Sequence, residues 1–133
     1  MLNNLAQLLQ PTNRLAEAEP LMRRALAIDE GSYGPEHPTV AIRLNNLASL
    51  LQATNRVAEA EPLMRRHVVI FLKFTRSTGH AHPHLKAAFG NYRNLIEVMA
   101  LSDEQVAEKF LGLGDEAGFD EVAYRELLTE MFP

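Results

Sequence analysis

Residues 2–24, LNNLAQLLQPTNRLAEAEPLMRR, return at 44–66 as LNNLASLLQATNRVAEAEPLMRR. The two segments differ at three of 23 positions, and they are offset by 42 residues. A period of about 20–50 residues is typical of stacked repeats, because one unit cannot bury its apolar face alone. The pattern therefore predicts an all-α superhelix that offers a surface to another protein.

The composition is that of a single globular domain. The chain has 133 residues, of which 47% are hydrophobic and 23% are charged, which is enough for a real core. It has no cysteine, and this excludes disulfides and thiolate metal sites. The longest apolar run, Val68 to Leu72, is too short to span a bilayer, and the start MLNNLAQLL lacks the features of a secretory signal. A cytoplasmic location is the default expectation.

The charge is unevenly distributed along the chain. The net charge is −4, and residues 103–133 alone hold nine Asp or Glu residues against two Lys or Arg residues. An acidic segment disfavours nucleic acid as the partner, because phosphate contacts need clustered cations. The simplest interpretation of the segment is a set of solvated helix faces.

The apolar spacing within repeat 1 predicts a pair of helices. Apolar residues recur every three or four positions over 2–9, and the pattern resumes after a break at 10–13. A loop is expected from Gly31 to Pro38, where proline suits the first turn of the next helix. The second helix is expected to bury Leu15, Ala18, Met22, Ala25, Leu26 and Ile28.

Repeat 2 begins in the same way but ends differently. Its helices are predicted from Pro38 to Ala53 and from Arg56 onward. Repeat 1 reads ALAIDE at 25–30, whereas repeat 2 reads HVVIFL at 67–72. The last turns of the second helix are therefore polar in repeat 1 and apolar in repeat 2. A helix that is apolar all round is a buried helix.

The remaining segments are predicted to be helical as well. A degenerate third repeat starts at Pro83, and Ser102 to Gln105 is a capping box that opens a short helix, expected to stop at Gly112 and Gly114. A last helix from about residue 120 to 131 is expected to form a lid over Phe71, Leu72 and Phe74. The predicted organisation is three repeat segments, at 1–37, 38–79 and 80–101, followed by capping helices at 102–133.

This helix-pair pattern resembles the tetratricopeptide repeat. The period, the LNNLA opening, the EAEPL second helix and the GPEHP loop are similar to kinesin-light-chain-type repeats, which also abound in bacterial arrays. The resemblance implies an αα-superhelix of about two and a half repeats with a C-terminal cap, and a protein or peptide as partner. The matching positions are Leu2, Leu5, Ala6, Leu9, Ala18, Met22 and Ala25 in repeat 1, and Leu44, Leu47, Ala48, Leu51, Asn55, Ala60 and Met64 in repeat 2.

The first repeat opens in the middle of the motif, because it lacks the HPTVAIR segment that precedes Leu44 in the second. Two explanations remain open. The chain is the C-terminal fragment of a longer array, which we favour, or its gene has lost upstream repeats. Either leaves an uncapped helix face at the N-terminal end, and this face is the candidate for homo-oligomerisation.

A recurring polar stripe on the first helices is the candidate binding site. In tetratricopeptide proteins that bind peptides, an asparagine at the Asn4, Asn46 and Asn91 position commonly hydrogen-bonds the ligand backbone. A carboxamide suits this role because it carries both a donor and an acceptor. The alternative is that these residues are only the solvated side of amphipathic helices. The candidate groove comprises Asn4, Gln7, Asn46, Ser49, Gln52, Asn91 and Asn94.

The sequence favours neither metal binding nor catalysis. His80, His82 and His84 have the spacing of a small metal site, but no nearby Cys or carboxylate completes a tetrahedral set, so loop and cap histidines are favoured. The chain has no phosphate loop, HExxH or GxSxG motif. We therefore predict no catalytic residue, no metal and no cofactor.

The function predicted from the sequence is a protein–protein interaction module that binds an extended peptide or a partner protein in its groove, without nucleic acid or membrane. The alternative is a structural segment that caps a longer array or drives self-association.

Overall fold

The computed structural model of the chain describes residues 15–132, apart from the side chain of Ala16. Within this range the chain forms no strand. The predicted helix at 2–9 and the turn at 10–13 lie outside the described residues. The all-α prediction is confirmed by six helices in this range, α1 (Leu15–Tyr33), α2 (Pro38–Ala53), α3 (Val57–Thr78), α4 (Leu85–Val98), α5 (Asp103–Glu116) and α6 (Glu121–Met131).

The chain divides into two compact units, residues 1–67 and 68–133, and the boundary lies inside α3. The described core of the first unit consists of Ala18, Met22, Ala25, Leu26, Val40, Ala41, Leu44, Leu47, Ala48, Leu50, Leu51, Ala60 and Met64. The described core of the second unit consists of Val68, Val69, Ile70, Phe71, Leu72, Leu85, Ala88, Phe89, Tyr92, Leu95, Ile96, Leu113, Ala117 and Tyr124.

The predicted apolar stripe of α1 is confirmed except at its two ends. Leu15 is only half-buried and Ile28 is 50% exposed, whereas the neighbouring Asp29 is buried. The Asp29 carboxylate accepts a hydrogen bond from Nε of Arg43 on α2, at 2.6 Å. A carboxylate can be buried at acceptable cost only beside such a partner. Because the side chain of Asp29 is directed into the core, the adjacent Ile28 lies on the exposed side of the helix.

The His-Pro pairs of the repeats have a structural role. His37 is the N-cap of α2, and its Nδ1 accepts the backbone N–H of Thr39 at 3.1 Å, while Pro38 occupies the first helical position. His82 makes the equivalent contact, since its Nδ1 accepts the backbone N–H of His84 at 3.0 Å. Each imidazole thus satisfies a backbone donor close to the start of a helix.

The turn between α2 and α3 is built around Asn55. Its φ of 60° lies in the left-handed region, which asparagine tolerates better than most residues. The backbone N–H of Arg56 then bonds the carbonyl of Leu51 at 2.8 Å and closes the helix end. The turn predicted at these residues is therefore confirmed.

Ala48 gives a direct test of the packing in the first unit. Its side chain is fully buried on α2. We expect Ala48→Leu to lower the free energy of unfolding by about 1–3 kcal/mol, because extra methylene groups strain a filled core. Urea unfolding followed by circular dichroism measures the effect, with Ala53→Leu at the exposed end of the same helix as the control. A midpoint equal to that of the wild type would show that Ala48 does not sit in a close contact.

The prediction that α5 stops at Gly112 and Gly114 is wrong. The helix begins at the predicted capping box, which is present in both directions between Ser102 and Gln105, and it runs through both glycines to Glu116. The chain turns only at Gly118, whose φ is 86°. Gly114 is a packing position, because a Cβ there would lie 2.6 Å from the ring of Tyr124 on α6.

The predicted lid of α6 over the end of α3 differs from the structure at two aromatic residues, Phe74 and Phe132. Phe71 and Leu72 are buried, but Phe74 is 40% exposed and its ring contacts His82, with centroids 4.7 Å apart. The aromatic side chain at the end of α6, Phe132, lies instead against Phe89 of α4 at 5.9 Å. The apolar C-terminal turns of α3 are thus partly covered by His82, which lies in the loop between α3 and α4.

Candidate functional site

The polar stripe of α2 lies on one side of a helix whose other sides are buried. Ser49 is exposed, and Asn46 and Gln52 are partly exposed. No hydrogen bond involves any of these three side chains within residues 15–132. Their amide and hydroxyl groups are therefore available to a ligand. Two further members of the predicted groove, Asn4 and Gln7, lie outside the described residues.

A second set of polar side chains lies on α4, in the second unit. Asn94 is exposed there and Asn91 is half-buried. The structure thus brings Asn46, Ser49 and Gln52 together on one helix, and Asn91 and Asn94 on another. Each helix presents a polar face within its own unit.

The glutamates of the EAEPLMRR segment are engaged in ion pairs. Glu19 accepts a hydrogen bond from Nε of Arg23 at 2.9 Å and another from Arg56, which also donates to Glu59. The bond from Arg56 is the main cause that lowers the pKa of Glu19, and it lowers the pKa of Glu59 as well. Because Glu19 is on α1 and Arg56 directly precedes α3, these charges hold helices of the first unit together.

The histidines of the HxHxH motif form an aromatic cluster in the second unit. The ring of His82 lies 4.5 Å from that of Phe71 and 5.4 Å from that of His84. Burial, and secondarily the charge of His84, lower the pKa of His82. Within the described part of the chain, no group of three or more His, Cys, Asp or Glu side chains is placed to hold a metal ion.

A cavity of about 650 Å³ lies wholly within the second unit, and the sequence pattern does not predict it. It opens between α4 and α6, and α5 contributes one wall. Two cations and several aromatic rings define its chemistry. The lining residues that matter here are Lys86, Phe89, Gly90 and Arg93 of α4, Phe110 of α5 and Phe132 of α6.

The helix pairs and their caps match a known repeat. Residues 1–72, more than half of the chain, match the family model described as tetratricopeptide repeat. The chain belongs to the tetratricopeptide repeat family. Tetratricopeptide repeats generally mediate protein–protein interaction, and the family is a non-catalytic scaffold. A comparison with curated proteins gives no match. No helix among the described residues has the length and apolar character needed to cross a membrane.

The tetratricopeptide match ends inside α3, so α4 to α6 follow the recognised repeats. On α2, the side chains of Ala41, Leu44 and Ala48 are all fully buried. Nδ1 of His67 on α3 lies 2.7 Å from the carbonyl oxygen of Ala41, which shows how closely the two helices approach.

The corresponding side of α4 borders the cavity. Alignment of His82-Pro83 with His37-Pro38 places Lys86, Phe89 and Arg93 at the positions of the buried α2 residues. Lys86 and Arg93 are exposed and line the cavity. The substitutions of Lys86 for Ala41 and Arg93 for Ala48 are the signals in the sequence that point to this change, and by themselves they indicate only that the regular stack ends.

Proposed function

We propose that the chain is a protein-interaction module that binds an extended peptide segment on the polar face of α2. The observation that supports this is the contrast on one helix: Asn46, Ser49 and Gln52 reach solvent, whereas the leucines between them are buried. Amide side chains offer a donor and an acceptor each, which is what the backbone of an extended peptide requires. Asn91 and Asn94 of α4 form a second face of the same chemistry in the second unit.

The repeat type also bears on the proposal. We infer that the two repeats are of the kinesin-light-chain type, because the 42-residue spacing and the GPEHP loop are similar to that group. The alternative function is a structural one, in which the chain caps a longer array or drives self-association. It is supported by the cations at 86 and 93, since they occupy positions where a further helix would require small or apolar residues.

Asn46→Ala is expected to weaken peptide binding by about 1–3 kcal/mol, the cost of leaving ligand polar groups unpaired, with little loss of stability. The ligand for this test is a peptide selected from a displayed random library on the wild-type protein. Isothermal titration of that peptide against wild type and variant measures the difference.

Asn45→Ala is the matched control, because it removes the same side chain one position away, about 100° around the helix. Thermal melting of both variants checks that they remain folded. Unchanged affinity after Asn46→Ala and Gln52→Ala are combined would rule out the α2 face. Loss of self-association in the same variants would favour the structural alternative.

A further inference from the structure

The cavity of the second unit has an aromatic floor. Phe89 is almost completely buried, and its ring contacts Phe132 edge to face at 5.9 Å and Phe110 in a stacked arrangement at 6.5 Å. Phe132 is nevertheless 47% exposed. The volume of about 650 Å³ is within the range of known ligand pockets. An apolar side chain can therefore enter and cover rings that water now reaches.

The rim of the cavity is cationic. Lys86 and Arg93 are seven residues apart on α4, which corresponds to about 10 Å along the helix. Nζ of Lys86 lies 5.7 Å from the centroid of the Phe132 ring. Arg93 approaches Glu97 only to 3.9 Å, and both side chains are largely exposed. Such an exposed pair is weak and is readily exchanged for another carboxylate.

The acidic residues of α6 do not neutralise this rim. Glu126 and Glu130 line a different depression, on the side of α6 that faces Thr75 and Arg76 of α3. Among the described residues that line the cavity, Lys86 and Arg93 are the ionised groups, and both are positive. The cavity is therefore complementary to an anionic and apolar ligand.

We propose that this cavity docks an acidic segment of a partner protein, with one or two apolar side chains over the phenylalanines and a carboxylate at each of Lys86 and Arg93. The two cations lie about 10 Å apart along α4, and their long side chains can reach carboxylates four residues apart, which lie about 13 Å apart on one face of an extended chain. Another repeat helix does not fit, since long cations at the positions of Ala41 and Ala48 prevent close helix packing. Nucleic acid is disfavoured by the acidic residues 103–133.

The test uses fluorescently labelled peptides of the pattern Asp-Ser-Φ-Ser-Asp, in which Φ is Leu or Phe, with Lys-Ser-Φ-Ser-Lys peptides as the charge-reversed control. Binding is measured by anisotropy titration of the 133-residue chain. We expect saturable binding that weakens as NaCl rises from about 50 mM to about 500 mM. Lys86→Glu combined with Arg93→Glu is expected to weaken binding by about tenfold or more. Arg125→Glu reverses an exposed cation on α6 outside the cavity and should change little.

Gly90→Leu tests the cavity without disturbing the fold. A Cβ at Gly90 would meet nothing within 4 Å, so the new side chain enters open space, and leucine also favours the helix. We expect peptide binding to fall by about tenfold or more while the melting temperature stays equal or rises. Gly112→Leu is the matched control, because a Cβ there is equally unobstructed and Gly112 is outside the cavity lining.

Several results would overturn this assignment. They are the absence of saturable binding, equal binding of the Lys-Ser-Φ-Ser-Lys control peptides, and full binding by the Gly90→Leu variant. A wild-type dimer that Gly90→Leu converts to a monomer would identify a second copy as the occupant instead. Asn46→Ala should leave this binding unchanged, so a failure here is distinguishable from a failure of the α2 face.

Discussion

Replacing Phe71 by aspartate is expected to lower the free energy of unfolding by about 4–6 kcal/mol, because it combines the loss of a core aromatic side chain with a buried charge. Phe71 is 1% exposed. Its counterpart in repeat 1, Asp29, is stable because Arg43 lies 2.6 Å away. The position that corresponds to Arg43 in the next repeat is Ala88, which is also buried. An aspartate at 71 would therefore lack the cation that Asp29 has.

His82, whose ring lies beside that of Phe71, is a weaker partner than that arginine. The two ring centroids are 4.5 Å apart, and burial lowers the pKa of His82, which disfavours the charged imidazolium. Urea unfolding of the full chain measures the loss. Phe71→Leu is the control, since it keeps the site apolar. It should lower the free energy of unfolding by about 1.5 kcal/mol or less. Equal midpoints for the Asp and Leu variants would show that the carboxylate finds a partner or reaches water.

The parts of the fold that local signals determine could be predicted from the sequence. The bounds of α2 follow from His37-Pro38 and the turn at Asn55, and the starts of α5 and α6 follow from the side-chain caps of Ser102 and Asp120. In each case a short-range hydrogen bond to the backbone fixes the helix end. The amide stripe of α2 could be predicted for a similar reason, because its polar residues follow the helical period beside a buried stripe.

The features that depend on distant residues could not be predicted in this way. The burial of Asp29 requires Arg43, 14 positions later, and helical spacing alone gives no sign of that pair. The passage of α5 through Gly114 depends on the Tyr124 ring, which occupies the space that a side chain would need. The cavity is harder to predict, because its walls come from three helices and only the cations Lys86 and Arg93 distinguish its residues from those of a regular repeat.

Removal of residues 119–133 is expected to cause self-association and to lower the melting temperature by about 10 °C or more. Within α6, Tyr124 is 3% exposed, and its hydroxyl donates a hydrogen bond to the carbonyl of Phe110 at 2.7 Å. Full burial of one such side chain is worth about 1.5–3 kcal/mol, and half-buried Leu127 and Leu128 add to it. The sum is a large share of the typical stability of about 5–15 kcal/mol.

Self-association is expected because α6 covers rings that would otherwise face water. Without it, Phe89 of α4 loses the Phe132 ring, the side of α5 at Gly114 loses the Tyr124 ring, and both become part of an exposed apolar surface. Sedimentation velocity and thermal melting measure the two effects. Tyr124→Phe in the full chain is the matched control, since it removes only the hydrogen bond and should cost about 0.5–1.5 kcal/mol. A truncated chain that stays monomeric and keeps its melting temperature would show that α6 contributes nothing to the core of the second unit.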